Sequence, residues 1–182
     1  MKALVVKQPF ANLILSGLKT LETRTWATNY RGPILIVAGK SLYEGSCYLE
    51  GMDVDCKDIY EAWRRKEVPV PTGKAIASVE IVGCRPMEKY HEQQACCRLY
   101  SKAVSWELSN IQLIEPFPVI GQRRIFEVEN PLLNFKDISP ADVFGQTCRV
   151  CGCVNEDCSG CIERTGGPCS WVDYDLCSAC EQ

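Results

Sequence analysis

Histidine is nearly missing: among 182 residues the only imidazole is His91. That scarcity removes most hydrolytic machinery, because Ser–His, Cys–His and His-ligated metal catalysis need an imidazole beside the reacting atom. His91 sits in "EKYHEQQACC", five residues before Cys96. A Cys–His nucleophile is one reading of it, and a solvated helix face explains the polar neighbours better. Long apolar runs are missing too. "KALVVKQPF" holds a four-residue apolar run broken by Lys7, short of a signal-peptide core, and no segment approaches a membrane span. The expectation is a cytoplasmic protein with no membrane partner. Nor is there a basic excess: 20 Lys and Arg against 23 Asp and Glu leave a formal charge of −3, which argues against gripping long nucleic acid by bulk charge.

What is present is unevenly spread. With 46% hydrophobic residues the chain can bury one ordinary core and carry a small second unit. Residues 1–40 hold Lys2, Lys7, Lys19, Arg24, Arg31 and Lys40 against one acid, Glu22. Residues 148–182 reverse this, with Arg149 and Arg164 against six acids. Any phosphate contact therefore belongs to the N-terminal part. In a reducing compartment the 13 cysteines read as metal ligands or small buried hydrophobes before disulfides.

Strand and helix signals alternate up to about Leu133. "KALVV", "TLETRTW", "PILIVAG", "GKAIASVEIVGC", "AVSWELSNIQLI" and "RRIFEVE" read as strands. "PFANLILSG" reads as a helix with Pro9 at its start and Gly17 ending it. "DCKDIYEAWRRK" reads as a second helix, burying Ile59 and Trp63 and exposing Arg64, Arg65 and Lys66. Short strands with few crossover helices predict an α+β fold built on a small, mainly antiparallel β-barrel. The domain division expected is residues 1–133, then a Cys-rich zinc-binding unit over residues 140–182, with "SPADVFGQ" as a short helical link.

"GLKTLETRTW" concentrates Lys19, Glu22, Arg24 and Trp26. In a strand, residues two apart share a face, so Glu22, Arg24 and Trp26 point one way with Lys19 at the mouth. A paired cation and anion hold each other in fixed rotamers, and an indole offers a flat surface, which suits a polar, planar ligand. The wet face of an ordinary antiparallel strand is the competing reading. "AGKS" fails as a phosphate-binding loop because the required first Gly falls at Ile34. If there is catalysis, a Lys with carboxylates remains: Lys19 with Glu22 and with Glu80, the lone acid of "AIASVEIV".

Eight of the 13 cysteines lie in the tail. Cys148-x2-Cys151 and Cys177-x2-Cys180 have the spacing of two knuckles that complete one tetrahedron, predicting a structural zinc, with an iron–sulfur cluster as the competitor. Cys153, Cys158, Cys161 and Cys169 suffice for a second closed site or serve as free thiols, so one zinc is expected and two are allowed. Without histidine, and with thiolates adding negative charge to an acidic tail, the unit reads as structural or as facing a protein partner.

The run from Gln8 to Lys40 resembles the opening of an ASCH (activating signal cointegrator homology) domain within the PUA-like superfold. The family's G-x-K-x-x-E-x-R stands here as Gly17, Lys19, Glu22 and Arg24, with "QPFA", "NYRGP", "AGK" and later "PFPVIGQRRIFEV" also similar. The resemblance covers residues 1 to about 130 and implies a barrel with a cleft that binds RNA or a nucleotide-like ligand. On that reading Lys7, Lys19, Arg31 and Lys40 meet phosphate, while Arg24 and Trp26 order or stack a base beside Glu22. One branch of the family is similar to amidohydrolases acting on acetylated cytidine, through a Lys, a Thr and a Glu. Lys19 matches the Lys and Glu80 the Glu, but the Thr position falls on Glu22. Hydrolysis by Lys19 and Glu80, of an amide or of RNA, is thus the alternative to binding. The tail resembles small zinc units of phage and bacterial proteins.

Overall fold

β1 (Lys2–Gln8) runs straight into α1 (Phe10–Leu15), a short helix with Ala11 to Leu15 all buried. The computed structural model describes residues 1–129, 131, 133–135, 153, 158–173 and 176–180. It divides into two units, Met1–Asp137 and Ile138–Gln182. After α1 come β2 (Leu21–Arg24), β3 (Gly32–Leu42), β4 (Ser46–Leu49), β5 (Met52–Asp55), α2 (Cys56–Arg65), β6 (Lys74–Pro86), α3 (Glu92–Ala95), β7 (Val104–Pro118) and β8 (Ile125–Glu127). Six strands form one sheet in the order β2-β7-β6-β3-β1-β8, antiparallel throughout except for the parallel pair β1–β3. The first unit is α+β and mainly antiparallel.

β3 explains its own central place. Ile34, Leu35, Ile36, Val37 and Ala38 are all buried, an uninterrupted apolar run that only a strand covered on both faces can carry. Leu35 and Val37 pack with Ala3, Ala75, Ile114 and Phe126. α1 lies against β1, β3 and β7. Its entry is held by polar bonds: Gln8 Nε2 donates to Asn12 Oδ1 and Pro71 O, and Asn12 Nδ2 donates to Pro69 O. Its exit is Gly17, whose φ of +79° few side-chain-bearing residues tolerate.

The sheet curls. β6 and β7 pair along most of their length with three register shifts, and such bulges raise the local twist. Three strands separate β2 from β1 in the hydrogen-bonding order, yet Arg24 Nη2 donates to Val5 O at 2.6 Å. A side chain thus bridges the seam of the barrel.

One element lies outside the expected strands, and one expectation changes. "SCYLEGMDVD" forms the β4–β5 hairpin, a separate two-stranded sheet whose outlying polar residues hide the strand period. His91 is not on a solvated face: it is fully buried at the end of a 3-10 turn, Lys89–His91. Its Nδ1 accepts from Glu88 N at 2.9 Å, and its Nε2 has no hydrogen-bond partner among the described residues. Ala95 anchors this turn by packing with Leu21, Met87 and Ala103, so Lys89, Tyr90, Gln93 and Gln94 take the solvent instead.

In the second unit, α4 (Ser159–Thr165) ends at Gly166, and β9 (Trp171–Asp173) pairs antiparallel with β10 (Leu176–Cys177). Its buried centre consists of Cys153, Cys161 and Cys177. The expected link "SPADVFGQ", Cys148 and Cys151 lie outside the described residues. No helix among the described residues is long and apolar enough to cross a membrane.

Candidate functional site

The charged residues of β2 are rooted below the surface. Lys19 is 1% exposed, and its ammonium is surrounded by three oxygens: Ala95 O at 2.5 Å, Leu21 O at 2.8 Å and Glu22 Oε2 at 3.4 Å. Two of its protons go to the carbonyls, and Glu22 adds an ion pair. The Phe10 ring lies 5.1 Å from the same nitrogen. Glu22, itself buried, forms an ion pair with Arg24 Nη2 at 2.9 Å through its other oxygen. Two cations on one buried carboxylate fix its rotamer. Arg24 then spans from Glu22 to Val5 O, leaving its Nε without a partner among the described residues.

This trio lines a cavity of about 940 Å³. Its walls come from β1 (Val5, Lys7), β2 (Glu22, Thr23, Arg24), the hairpin (Ser46, Asp53), the segment Cys97–Tyr100 and the loop Gln122–Arg124, with Trp26 and Tyr43. The chain is acidic overall, but six cations and only two carboxylates face this space: Lys7, Lys19, Arg24, Arg98, Arg123 and Arg124 against Glu22 and Asp53. Gly121 brings the arginine loop close, since a Cβ there would lie 2.8 Å from Val5 Cγ2.

A second ion-pair network braces the opposite wall. Arg98 forms a fork on Asp53, Nε to Oδ1 at 3.0 Å and Nη2 to Oδ2 at 2.9 Å, and reaches Glu92 Oε2 at 3.2 Å. Its guanidinium also lies over the Tyr48 ring at 3.8 Å. The Arg98 hydrogen bond holds the Asp53 carboxyl below its ordinary range. For Glu92 the bond from Leu99 N comes first and Arg98 adds to it, again lowering the carboxyl. Burial raises the Tyr100 phenol. Thr23 Oγ1 lies 3.6 Å from Cys97 Sγ.

Of the residues singled out in the sequence, the structure brings Lys7, Lys19, Glu22, Arg24 and Trp26 to this cavity. Arg31, Lys40 and Glu80 are not among its lining residues. Arg31 caps its own turn through Thr28 O and Tyr30 O, Lys40 lies beside Gly73, and Glu80 accepts from Asn110 Nδ2 at 3.4 Å. Lys19 and Glu80 are therefore not brought together. Arg98, Tyr100, Arg123 and Arg124 were not singled out as site residues. The doubled arginine of "GQRRIF" was the available signal for the last two.

The second unit offers a different site. The sulfurs of Cys153, Cys161, Cys169 and Cys177 lie within 4.8 Å of one another. Zn–S bonds of about 2.3 Å in a tetrahedron set S···S edges of roughly 3.8 Å. Cys153–Cys169 at 3.6 Å and Cys161–Cys177 at 3.9 Å fit that figure. Four thiols could thus hold a metal ion such as zinc in a closed site. Pairing of β10 with β9 carries Cys177 to the inner cysteines; Cys148 and Cys151, the other pair expected with Cys177 and Cys180, lie outside the described residues. Cys158 sits 2.9 Å from Cys169 Sγ and accepts from Cys169 N, while Arg164 Nη2 donates to Cys161 and Cys180.

The ASCH domain family model matches residues 4–118. Activating signal cointegrator 1 of Mus musculus is 26% identical over 140 residues, and that of Homo sapiens 25%; each match covers 71% of this chain and 22% of the relative. The chain thus spans about a fifth of the length of the curated relatives it matches. The solved structure of ASCH from Zymomonas mobilis superposes with a TM-score of 0.45 at 13% identity, covering 71% of this chain and 87% of that one. With the family model matching more than half of the chain, over every sheet strand but β8 and over the β2 signature, the chain belongs to the ASCH domain family, with its PUA-like fold.

Proposed function

We propose that the ASCH unit binds RNA or a nucleotide-like ligand in the cleft lined by Lys19, Glu22, Arg24 and Trp26, and that a structural zinc holds the Cys-rich unit folded. The observation that carries the first part is the reversal of charge: an acidic chain presents six cations and two carboxylates to one aromatic-lined cavity. Phosphate is the anion such a wall suits, with Lys7 and Arg123 nearest the role. Trp26 supplies a stacking face, and Lys19 acts through Glu22, holding the carboxylate and Arg24 in register. Binding is favoured over hydrolysis by Lys19 and Glu80, because Glu80 is off the cavity lining and the Lys19 ammonium is buried against two carbonyls and Glu22. The acidic, thiolate-rich unit is read as a scaffold facing a protein partner in a reducing, cytoplasmic setting.

Titration of short single-stranded RNA against wild type and Arg24→Ala, each verified as folded, tests the reading. Affinity should fall with salt, with a log–log slope of about −0.7 per phosphate contacted. Arg24→Ala should bind about tenfold more weakly. No binding by wild type even at low salt would sink the proposal.

A further inference from the structure

Trp26 lies just beyond β2, and its ring is backed from inside. Trp106, fully buried, meets it at 4.6 Å between centroids with planes 86° apart, and Trp106 Nε1 donates to Trp26 O at 3.3 Å. These contacts fix the indole. A cation covers it: the Arg124 guanidinium lies 5.6 Å from the Trp26 ring centroid. Arg124 is exposed and makes neither an ion pair nor a side-chain hydrogen bond among the described residues. Its φ of +60° is one that side-chain-bearing residues adopt only when the surroundings impose it, as they do at clamps and binding loops. Both residues line the cavity.

We propose that Trp26 and Arg124 are the two plates of a slot for one unpaired nucleobase. The inference rests on the reading that the cleft takes nucleic acid, and it names what enters: a base with both faces free, from a single strand or a chain end, and not a duplex. Stacked planes lie roughly 3.4 Å apart, so a sandwiched base needs about 6.8 Å between plates. The present 5.6 Å is short by about 1.2 Å, a distance that one exposed arginine side chain covers by a small torsion change. The rigid plate is the indole, and the moving plate is the guanidinium, whose planar π-face stacks on a base as an ammonium cannot. A base inside a helix already has both faces stacked and would have to be extracted first.

The test compares a single-stranded adenylate hexamer with an abasic ribose-phosphate hexamer of equal charge. Wild type should prefer the adenylate by about tenfold. Arg124→Asn removes the plate while keeping a residue that accepts positive φ. It should lose most of that preference while weakening the abasic hexamer by no more than about threefold. Arg124→Lys restores the charge and should not restore the preference. Equal loss on both hexamers in Arg124→Asn, or recovery in Arg124→Lys, would reduce Arg124 to a phosphate contact and overturn the slot. Equal wild-type affinity for the two hexamers overturns the slot and leaves the cleft reading standing, whereas no binding of either overturns both.

Discussion

Arg24 donates to the backbone oxygen of Val5 at 2.6 Å while its guanidinium also holds Glu22, so one side chain ties β2 to β1 across a gap that no strand pairing closes. Arg24→Ala removes both bonds, and Arg24→Lys has one point charge for two acceptors. Urea denaturation should show losses of about 1–3 kcal/mol for alanine and a smaller loss for lysine. Equal stability of all three proteins would mean that the seam is held by something else.

Lys19 should be more sensitive still. Its charge is buried against Glu22 and two carbonyls, and taking away one partner of a buried pair leaves the other uncompensated. Lys19→Ala is expected to cost about 3–5 kcal/mol in equilibrium unfolding. A cost below about 1 kcal/mol would mean that water reaches Glu22 freely.

Acid should loosen the wall opposite β2. Asp53 and Glu92 have folded-state pKa values below their ordinary ones. Their stabilisation is therefore complete above about pH 5 and is lost as pH falls through the lowered values. The unfolding midpoint should drop between pH 5 and pH 2 (rough bounds), and Arg98→Gln should flatten that drop. An unchanged pH profile in Arg98→Gln would separate these carboxylates from Arg98.

Neighbouring thiols should react unequally. Cys96 is 1% exposed, and burial pushes its thiol up to about 11, whereas Cys97 is half-buried and opens to the cleft. Maleimide at pH 7.5 (a roughly physiological choice), followed by peptide mass spectrometry, should label Cys97 first and leave Cys96 protected until unfolding. Nucleic acid in the cleft should slow the labelling of Cys97.

The Cys-rich unit should depend on metal. Elemental analysis is expected to find one or two zinc ions per chain. Cys161→Ser or Cys177→Ser, each removing a buried thiol of the four-sulfur cluster, should release metal and unfold that unit while the ASCH unit keeps its own unfolding transition. Iron in place of zinc, or retention of all metal in both variants, would overturn the assignment.

Local signals were legible and distant ones were not. The buried run of β3 and the helix from Phe10 announced themselves by apolar pattern, and the β2 charges by concentration. The β4–β5 hairpin was missed because its outlying residues are polar and break the period. His91 was misjudged because burial there is decided by the packing of Ala95 against Leu21, which lies four strands earlier in the sequence. Arg123 and Arg124 join Trp26 only once the sheet has curled, and no spacing rule covers residues nearly a hundred positions apart. The approach of Cys177 to Cys153, Cys161 and Cys169 is equally invisible to CxxC spacing, because it depends on how the chain between them folds.

The pairing of β1 has a consequence for biosynthesis. β1 lies between β3 and β8, and its register with β8 joins Lys2 to Glu127. During translation the strand can therefore pair on one side as soon as β3 emerges from the ribosome, but its other edge stays open until β8 follows, some eighty residues later at roughly 5–20 residues per second. For those seconds an apolar strand with unpaired amides is available to any other chain. Nascent chains arrested before Ile125 should accordingly recruit chaperones or aggregate, and release of the arrest past Glu127 should end both.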